Sequence, residues 1–332
     1  MPRVTLAYSI KTNPLPELLE LARASGMWAE AITQHEAAHA LGLGFAPGSI
    51  VLNGPAKGWP EKRVDGCAAV FCDSLEELAA LRRAVGRRAE RVDCFGVRLR
   101  PATVRSRFGI DLSVPGAFAA VVRELKRLPR GQPIGFHFHQ ASSAIGVATW
   151  RYLARNFVAA ARILGEHAGR RPALISLGGG WHPDDWDVFL RDELGGLVRY
   201  CRRELPGLRR LILEPGKALA QRSMCLAMRV LEVRRGEAVV DGSVAELPDL
   251  ASHPHRFVSR HTKDFRPWGH GSARLLGRLC MEFDVVGHDL RLPRALKAGD
   301  LLAVLDAGAY DASMAYVFGR GLSPQLAAPG TL

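Results

Sequence analysis

The feature that most constrains the fold is an alternation of short β-rich runs with amphipathic helices over the first two thirds of the chain. Each run is rich in β-branched and aromatic residues, ends at turn residues and is followed by a stretch with helical hydrophobic spacing. This rhythm is typical of parallel strands joined by helical crossovers. The predicted strands, in chain order, are Val4–Ile10, Met27–Ala31, Ser49–Leu52, Ala68–Cys72, Val92–Leu99, Ile134–His139, Ala173–Leu177 and Leu211–Glu214.

Amphipathic helices are predicted between these strands, for example at Ser74–Val85, Pro115–Arg127, Thr149–His167 and Pro183–Glu204. The pattern contains about eight strand–helix units, which is the number in a TIM (β/α)8 barrel. We therefore predict an α/β protein in which residues 1–221 form such a barrel.

The rhythm changes after Pro215, where crossover helices stop and β-rich segments are separated by glycine, proline and histidine turns. The predicted strands here are Met228–Val233, Ala238–Val240, Ala273–Leu276 and Leu301–Asp306. For residues 222–332 we expect a smaller, mostly antiparallel β domain.

Polar residues stand where several of the predicted barrel strands end, and this edge carries the chemistry of TIM barrels. They are Lys11, Glu30, Asn53, Asp73, Arg98, His139, the run Gly178-Gly179-Gly180, and Glu214. Lys11 follows the first strand, which Asn13-Pro14 separates from the next helical stretch. A lysine held there can be desolvated and stay nucleophilic toward a carbonyl group. Taken alone, Lys11 fits a surface lysine better, so its assignment depends on the rest of the chain.

The triple glycine after the seventh predicted strand lets the backbone come close to a ligand. Backbone amides near a helix N-terminus bind phosphate, and barrels often do so after their last two strands. Ser142 and Lys217 are candidates to complete this anion site. A tight turn explains the three glycines equally well.

The segment His35-Glu36-Ala37-Ala38-His39 matches HExxH, which on a helix presents two imidazoles to zinc and a glutamate as general base. The extended form of the motif needs a third histidine at position 45, which is Phe45 here. The strand count also makes this segment a crossover helix after the second strand, a context that zinc peptidases do not use. A zinc metalloprotease is therefore a remote alternative, and no metal site is expected.

The formal net charge of +12 at pH 7 raises the question of a polyanionic partner. The arginines are scattered at helix ends and turns, without the interleaved aromatic residues of a single-strand nucleic-acid binder. No apolar run approaches the roughly 20 residues that cross a bilayer, and no signal-peptide pattern precedes Lys11. We expect a cytoplasmic protein that binds neither nucleic acid nor membrane. The six cysteines form no CxxC pair, so no disulfide framework or thiolate zinc site is predicted.

Six short motifs follow one another along the chain. They are Tyr8-Ser9-Ile10-Lys11-Thr12-Asn13, Phe138-His139-Gln140-Ala141-Ser142, Leu177-Gly178-Gly179-Gly180, Glu214-Pro215-Gly216-Lys217, Gly277-Arg278-Leu279-Cys280, and Gly308-Ala309-Tyr310 with Ser313-Met314. In this order they resemble the cofactor-lysine, HxGS, GGG, EPGR, GPxC and GAY–SM motifs of the fold-type III pyridoxal-phosphate decarboxylases. That family contains ornithine, diaminopimelate and arginine decarboxylases, and the resemblance covers nearly the whole chain.

The resemblance implies decarboxylation of an amino acid, such as ornithine, lysine, diaminopimelate or a related biosynthetic intermediate, with pyridoxal 5'-phosphate as cofactor. Lys11 would hold the cofactor as an internal aldimine, and His139 would stack on its pyridine ring. Arg98 would lie near the cofactor hydroxyl, and Glu36 near the cofactor. Ser142, Gly180, Gly216, Lys217 and Tyr310 would bind the phosphate, and Gly178 and Gly179 belong to the same cofactor-binding set.

Glu214 would face the ring nitrogen of the cofactor. A carboxylate there keeps the pyridinium protonated, so the ring accepts the electrons released when the bond to the substrate carboxylate breaks. Alanine racemases resemble this chain in their lysine but place an arginine at the ring nitrogen, so Glu214 favours decarboxylation. A fold-type III racemase or epimerase and a non-catalytic protein that binds the cofactor remain the alternatives.

Cys280 resembles the cysteine that protonates the substrate carbon after carbon dioxide leaves, which is a general-acid role. In the family this cysteine reaches across a dimer interface, so the resemblance implies a homodimer with shared active sites. The structural alternative for Cys280 is a buried thiol of the β domain.

The chain departs from the family pattern at several positions. Lys217 replaces an arginine, which turns bidentate phosphate binding into a point-charge contact. Ala141 replaces the glycine of HxGS, and Met281 follows Cys280 where the family often has an acidic residue. Family members usually have a few dozen residues before the cofactor lysine, so we expect a truncated reading frame, a fragment or a variant with an open edge there.

Overall fold

The computed structural model describes residues 2–55, 57, 66–86, 92–100, 106–253 and 255–318. The chain divides into two compact units, Met1–Ala218 and Leu219–Leu332. Each unit is built on one sheet of its own. None of the helices in the described ranges is long and apolar enough to span a membrane.

The first unit is a closed parallel barrel. Its described strands are β1 (Arg3–Ser9), β2 (Trp28–Ala31), β3 (Ile50–Leu52), β4 (Ala69–Cys72), β5 (Phe95–Arg100), β6 (Ile110–Asp111), β7 (Ile134–His137), β8 (Pro172–Ser176) and β9 (Arg210–Leu213). Apart from the short β6, which pairs only with β5, these strands form a ring that closes through the β9–β1 and β4–β5 pairs. The predicted TIM barrel is confirmed, and each predicted strand corresponds to one strand of the ring.

The helices of this unit follow the strands as crossovers. They are α1 (Pro16–Ala24), α2 (Gln34–Gly42), α3 (Leu75–Gly86), α4 (Ala117–Lys126), α5 (Ser142–Ile145), α6 (Val147–Ala168), α7 (Pro183–Val188) and α8 (Leu194–Glu204), and α9 (Lys217–Ala220) lies at the division between the units. The single helix predicted over Pro183–Glu204 is interrupted by a π-helical turn, Phe189–Glu193. That turn places Phe189 in a stack on Trp181, with ring centroids 4.3 Å apart.

Apolar side chains fill the inside of the barrel, as expected for strands that are buried on both faces. One buried cluster joins Phe71 on β4 to Leu174 on β8 and Ile212 on β9. Gly96 on β5 makes room for this packing, because a Cβ there would overlap the Phe71 ring. The interior below the strand ends is therefore filled by side chains.

The second unit is a mixed sheet with mostly antiparallel pairs. Its strands are β10 (Leu226–Arg234), β11 (Glu237–Val240), β12 (Arg256–Ser259), β13 (His270–Leu276), β14 (Val285–Leu290) and β15 (Leu301–Leu305), followed by the short helix α10 (Asp311–Met314). The strand order is β12-β15-β10-β11-β13-β14, and only the β11–β13 pair among them is parallel. The mostly antiparallel architecture is confirmed, whereas β12 and β14 were not predicted as strands.

Candidate active site

Lys11 lies just beyond the end of β1, in a 3-10 turn over Ile10–Thr12. Its Nζ is 2.7 Å from Oε2 of Glu30 and donates a 2.8 Å hydrogen bond to Oγ of Ser9. Ser9 and Glu30 are register partners on the neighbouring strands β1 and β2, which explains why they meet. The Glu30 side chain is fully buried, whereas that of Lys11 is 28% exposed. The lysine amine is thus accessible from the barrel mouth and held from below by a buried counterion.

Glu214 follows β9 and is almost completely buried. Its carboxylate accepts hydrogen bonds from Ser176 Oγ at 2.6 Å, His137 Nε2 at 3.2 Å and Asn53 Nδ2 at 3.4 Å. His137 and Ser176 are register partners on β7 and β8, so the two donors stand side by side. Burial opposes the charged form, but His137, whose Nε2 hydrogen-bonds the carboxylate, and the Ser176 hydroxyl outweigh it and lower the pKa of Glu214 to about 2. Glu214 is therefore an ionised carboxylate although it is buried.

His139 lies two residues after His137, and their rings are stacked with centroids 6.3 Å apart. Burial, and then the charges of Lys11 and Arg98, hold the pKa of His139 well below its usual range, so its imidazole is neutral. The Gly179 N–H donates to His139 Nδ1 at 3.2 Å, which places the proton on Nε2. His139 thus offers the barrel mouth a flat, neutral ring of fixed orientation.

The glycines after β8 and β9 are required by close packing. Gly178 and Gly180 have positive φ angles of 66° and 85°. A Cβ at Gly179 would overlap the carbonyl oxygen of Glu214, and one at Gly216 would overlap Oγ1 of Thr12. Only glycine therefore fits at these two positions, where the loops after β1, β8 and β9 meet.

Ser142 joins this glycine region from the loop after β7. Its Oγ donates to the Gly180 carbonyl at 3.1 Å, and the Ser143 N–H donates to the same oxygen at 2.9 Å. A Cβ at Gly180 would overlap the Ala141 backbone. Lys217, at the start of α9, directly follows Gly216. The predicted phosphate-binding residues of the first unit thus stand in loops that pack on one another.

Arg98 on β5 is 9% exposed, and its Nη1 lies 3.5 Å from Oδ1 of Asp73. Burial lowers the pKa of Arg98, while the charges of Asp73, Glu214 and Glu30 oppose that shift. The guanidinium also lies over the Phe108 ring, 4.9 Å from its centroid. Arg98 is therefore the cation that shares the barrel mouth with Lys11.

Glu36 caps its own helix. Its N–H donates to Oγ1 of Thr33, and its Oε2 accepts a 2.8 Å bond from the N–H of Ile32. Burial raises the pKa of Glu36, and the nearby Glu30 charge adds to the effect. A contact between Glu36 and a cofactor stays a prediction.

The HExxH segment is not arranged as a zinc site. His39 Nε2 donates to the Pro14 carbonyl at 2.8 Å, and His35 is exposed. Within the described ranges, the residues with ligand atoms close enough for a metal are His137, His139 and Glu214, whose atoms lie within 4.8 Å of one another. His139 Nδ1 already accepts the Gly179 N–H, and the two rings are stacked, so their in-plane lone pairs do not converge. The geometry therefore gives no support to the metalloprotease alternative.

Cys280 and Tyr310 belong to the second unit. Cys280 is exposed, in the turn between β13 and β14, so the buried-thiol alternative is wrong. Asp284 shapes that turn, since its carboxylate accepts the N–H groups of Leu279 at 2.7 Å and Val244 at 2.9 Å. Tyr310 directly precedes α10 and has a positive φ of 69°. The catalytic role of Cys280 and the phosphate contact of Tyr310 stay predictions.

Several residues of this site were not assigned a role from the sequence. The sequence marks Glu30 and Asn53 only as polar strand ends, and it places His137 and Ser176 within predicted strands. One signal in the sequence points to His137, because residues two apart on a strand share a face and His139 is a predicted site residue.

Together these residues fit a phosphorylated pyridine aldehyde. The site offers an accessible amine (Lys11), a buried anion (Glu214), a neutral aromatic ring (His139) and a glycine-lined cradle with a serine hydroxyl (Ser142). Glu30 Oε1 and His137 Nδ1 are buried without a hydrogen-bond partner among the described residues.

Comparison with known proteins gives a consistent result. The family model described as "Pyridoxal-dependent decarboxylase, pyridoxal binding domain" matches residues 1–221. A diaminopimelate decarboxylase of Actinosynnema pretiosum subsp. auranticum is 28% identical over 95% of this chain and 76% of its own length. An ornithine decarboxylase of Schizosaccharomyces pombe is 25% identical over 96% of this chain and 76% of its own length. Among solved structures, the diaminopimelate decarboxylase of M. jannaschii superposes with a TM-score of 0.79, at 22% identity, over 95% of this chain and 77% of that chain.

Proposed function

The chain belongs to the pyridoxal-dependent decarboxylases, and on that premise we propose that it releases carbon dioxide from an amino acid with pyridoxal 5'-phosphate as its cofactor. The match to this family over residues 1–221 confirms the resemblance that the sequence motifs indicate. The observation that carries the proposal is the ionised, buried carboxylate of Glu214 at the same barrel edge as the accessible amine of Lys11.

The geometry supports a role for each residue at this edge of the barrel. When bound, pyridoxal phosphate supplies a protonated ring that accepts electrons. Lys11 would attach the cofactor aldehyde, and the carboxylate of Glu214 would hold the proton on the ring nitrogen. His139 would cover one face of the ring and exclude water from it. Ser142, the glycine loops and Lys217 would hold the phosphate.

The carboxylate of Glu214 favours decarboxylation over racemisation, because an anion keeps the ring nitrogen protonated and an arginine does not. Relatives named as diaminopimelate and ornithine decarboxylases support the same reaction. We propose a substrate of this kind, an amino acid with a polar or charged distal end.

We further propose that the chain acts as a homodimer in which Cys280 of one copy serves the site of the other. Its exposure, and the backbone bonds of Asp284 that fix its turn, support this assignment. Cys280→Ala should leave cofactor binding intact while impairing clean formation of the amine product, as measured by product analysis. An unchanged product profile would refute the role.

A screen for carbon dioxide release over a panel of amino acids tests the proposed function. The wild-type protein with added pyridoxal phosphate should release carbon dioxide from at least one member, and Lys11→Ala should not. Lys126→Ala, which changes an exposed lysine at the end of α4, is the matched control and should retain activity. Inversion of an enantiomer without carbon dioxide would indicate a racemase, and cofactor binding without either product would indicate a non-catalytic protein.

A further inference from the structure

His137 is buried inside the barrel, one layer below His139. Its ring lies between Phe71, 5.1 Å away between centroids, and His139, 6.3 Å away. Its Nε2 is 3.2 Å from Oε2 of Glu214. An ionised carboxylate can only accept a hydrogen bond, so Nε2 of His137 carries the proton and donates it to this 3.2 Å bond.

Each carboxylate oxygen of Glu214 accepts a hydrogen bond from a side chain on a barrel strand. Ser176 donates to Oε1 and His137 to Oε2, and Asn53 approaches both oxygens at 3.4 Å. Two donors on neighbouring strands fix the plane of the carboxylate, and only its remaining lone pairs can receive a further N–H group. The orientation of Glu214 is thus determined before any ligand arrives.

A buried imidazole stabilises the fold less than an apolar side chain would in this space. His137 Nδ1 has no hydrogen-bond partner among the described residues, and a buried polar atom without a partner destabilises the fold. A leucine or phenylalanine would pack against Phe71 without that loss. His139 cannot replace His137, because its Nδ1 is 4.0 Å from Glu214 and accepts the Gly179 N–H.

We propose that His137 is a positioning residue, whose Nε2–H holds the Glu214 carboxylate ionised and correctly oriented for the ring nitrogen of the cofactor. The inference rests on the proposed function and assigns a residue outside the motifs that carry it. In this role His137 acts through Glu214.

A double-mutant cycle on the dissociation constant of pyridoxal phosphate tests whether His137 acts through Glu214. His137→Leu should weaken binding about 10- to 100-fold, the loss expected for one hydrogen bond to a buried charge. His137→Gln, whose amide can still donate, should recover part of the affinity. In the Glu214→Gln background, His137→Leu should change affinity less than about twofold. His35→Leu, at an exposed histidine, is the matched control and should bind like the wild type.

The tautomer of His137 gives a second readout that needs no variant. Imidazole nitrogen NMR on the apo protein, with histidine labelled, should show the proton on Nε2. Equal losses in both backgrounds, no loss in His137→Leu, or a proton on Nδ1 would each overturn the inference. If His137→Leu fails to fold, the tautomer decides. A wild-type protein that binds no pyridoxal phosphate would refute the proposed function, and the tautomer would still test the His137–Glu214 bond.

Discussion

Two buried carboxylates face the mouth of the barrel and are stabilised in opposite ways. Glu30, after β2, is paired with a full positive charge, the ammonium of Lys11 at 2.7 Å. Glu214, after β9, lies against hydroxyl, amide and imidazole donors, with no lysine or arginine in hydrogen-bonding distance among the described residues. Both side chains are at most 1% exposed, so burial alone does not distinguish them.

The difference indicates which charge is available to a ligand. A carboxylate in an ion pair has its charge largely compensated, and its task is to hold the partner. A carboxylate stabilised by dipoles keeps a net negative charge in a medium of low dielectric constant, where it attracts a cationic group strongly. Glu30 therefore holds the lysine, and Glu214 is the anion that we propose for the ring nitrogen of the cofactor.

Among the variants that test this comparison, Glu214→Gln should lose the most activity. The amide has the same shape but cannot hold a proton on the ring nitrogen by charge, so kcat should fall about a thousandfold. Steady-state kinetics on an active substrate measure this loss. Glu30→Gln is the matched control, and a loss in it as large as in Glu214→Gln would break the distinction.

The acid stability of the fold should depend on Glu214. Its pKa in the folded protein, about 2, lies below the ordinary value of 4.5. The ionised group therefore stabilises the fold above pH 4.5, and this contribution is lost as the pH falls toward 2. Urea unfolding at a series of pH values should show the free energy of unfolding falling more steeply with acid in the wild type than in Glu214→Gln. Parallel curves would contradict the assignment of a stabilised anion.

Glu30→Gln should produce a smaller change, in the pH dependence of cofactor attachment. Removing the carboxylate favours the neutral amine of Lys11, which is the nucleophilic form. The pH at which attachment reaches half its maximal rate should therefore move down. Stopped-flow absorbance after mixing with pyridoxal phosphate measures the shift, and an upward shift would show that Glu30 does not act as the counterion.

The sequence was a good guide to the barrel because strand ends are marked locally. Asn13-Pro14 marks the end of the first β-rich run, and the glycines mark the end of the seventh. The number of runs counted in this way predicts a barrel. In the second unit, β12 lies in a histidine-rich stretch and β14 contains Gly287 beside polar residues. Neither has the pattern of a strand, and both form because the sheet offers them partners.

The site was predicted only in part because motifs identify positions and not pairs. Lys11, His139 and Glu214 stood at strand ends and could be found one at a time. The Ser9–Glu30 and His137–Ser176 pairs arise from the register of neighbouring strands, which depends on the closure of the whole barrel. The contact of His137 with Glu214 crosses from β7 to the loop after β9, a separation of 77 residues.

The absorbance spectrum of the purified protein after addition of pyridoxal phosphate tests the central claim most directly. If Lys11 is the residue that attaches the cofactor, the wild type should show a visible band of lysine-bound cofactor, and Lys11→Ala should lack it. The absence of that band from the wild type, or its persistence unchanged in Lys11→Ala, would contradict the account.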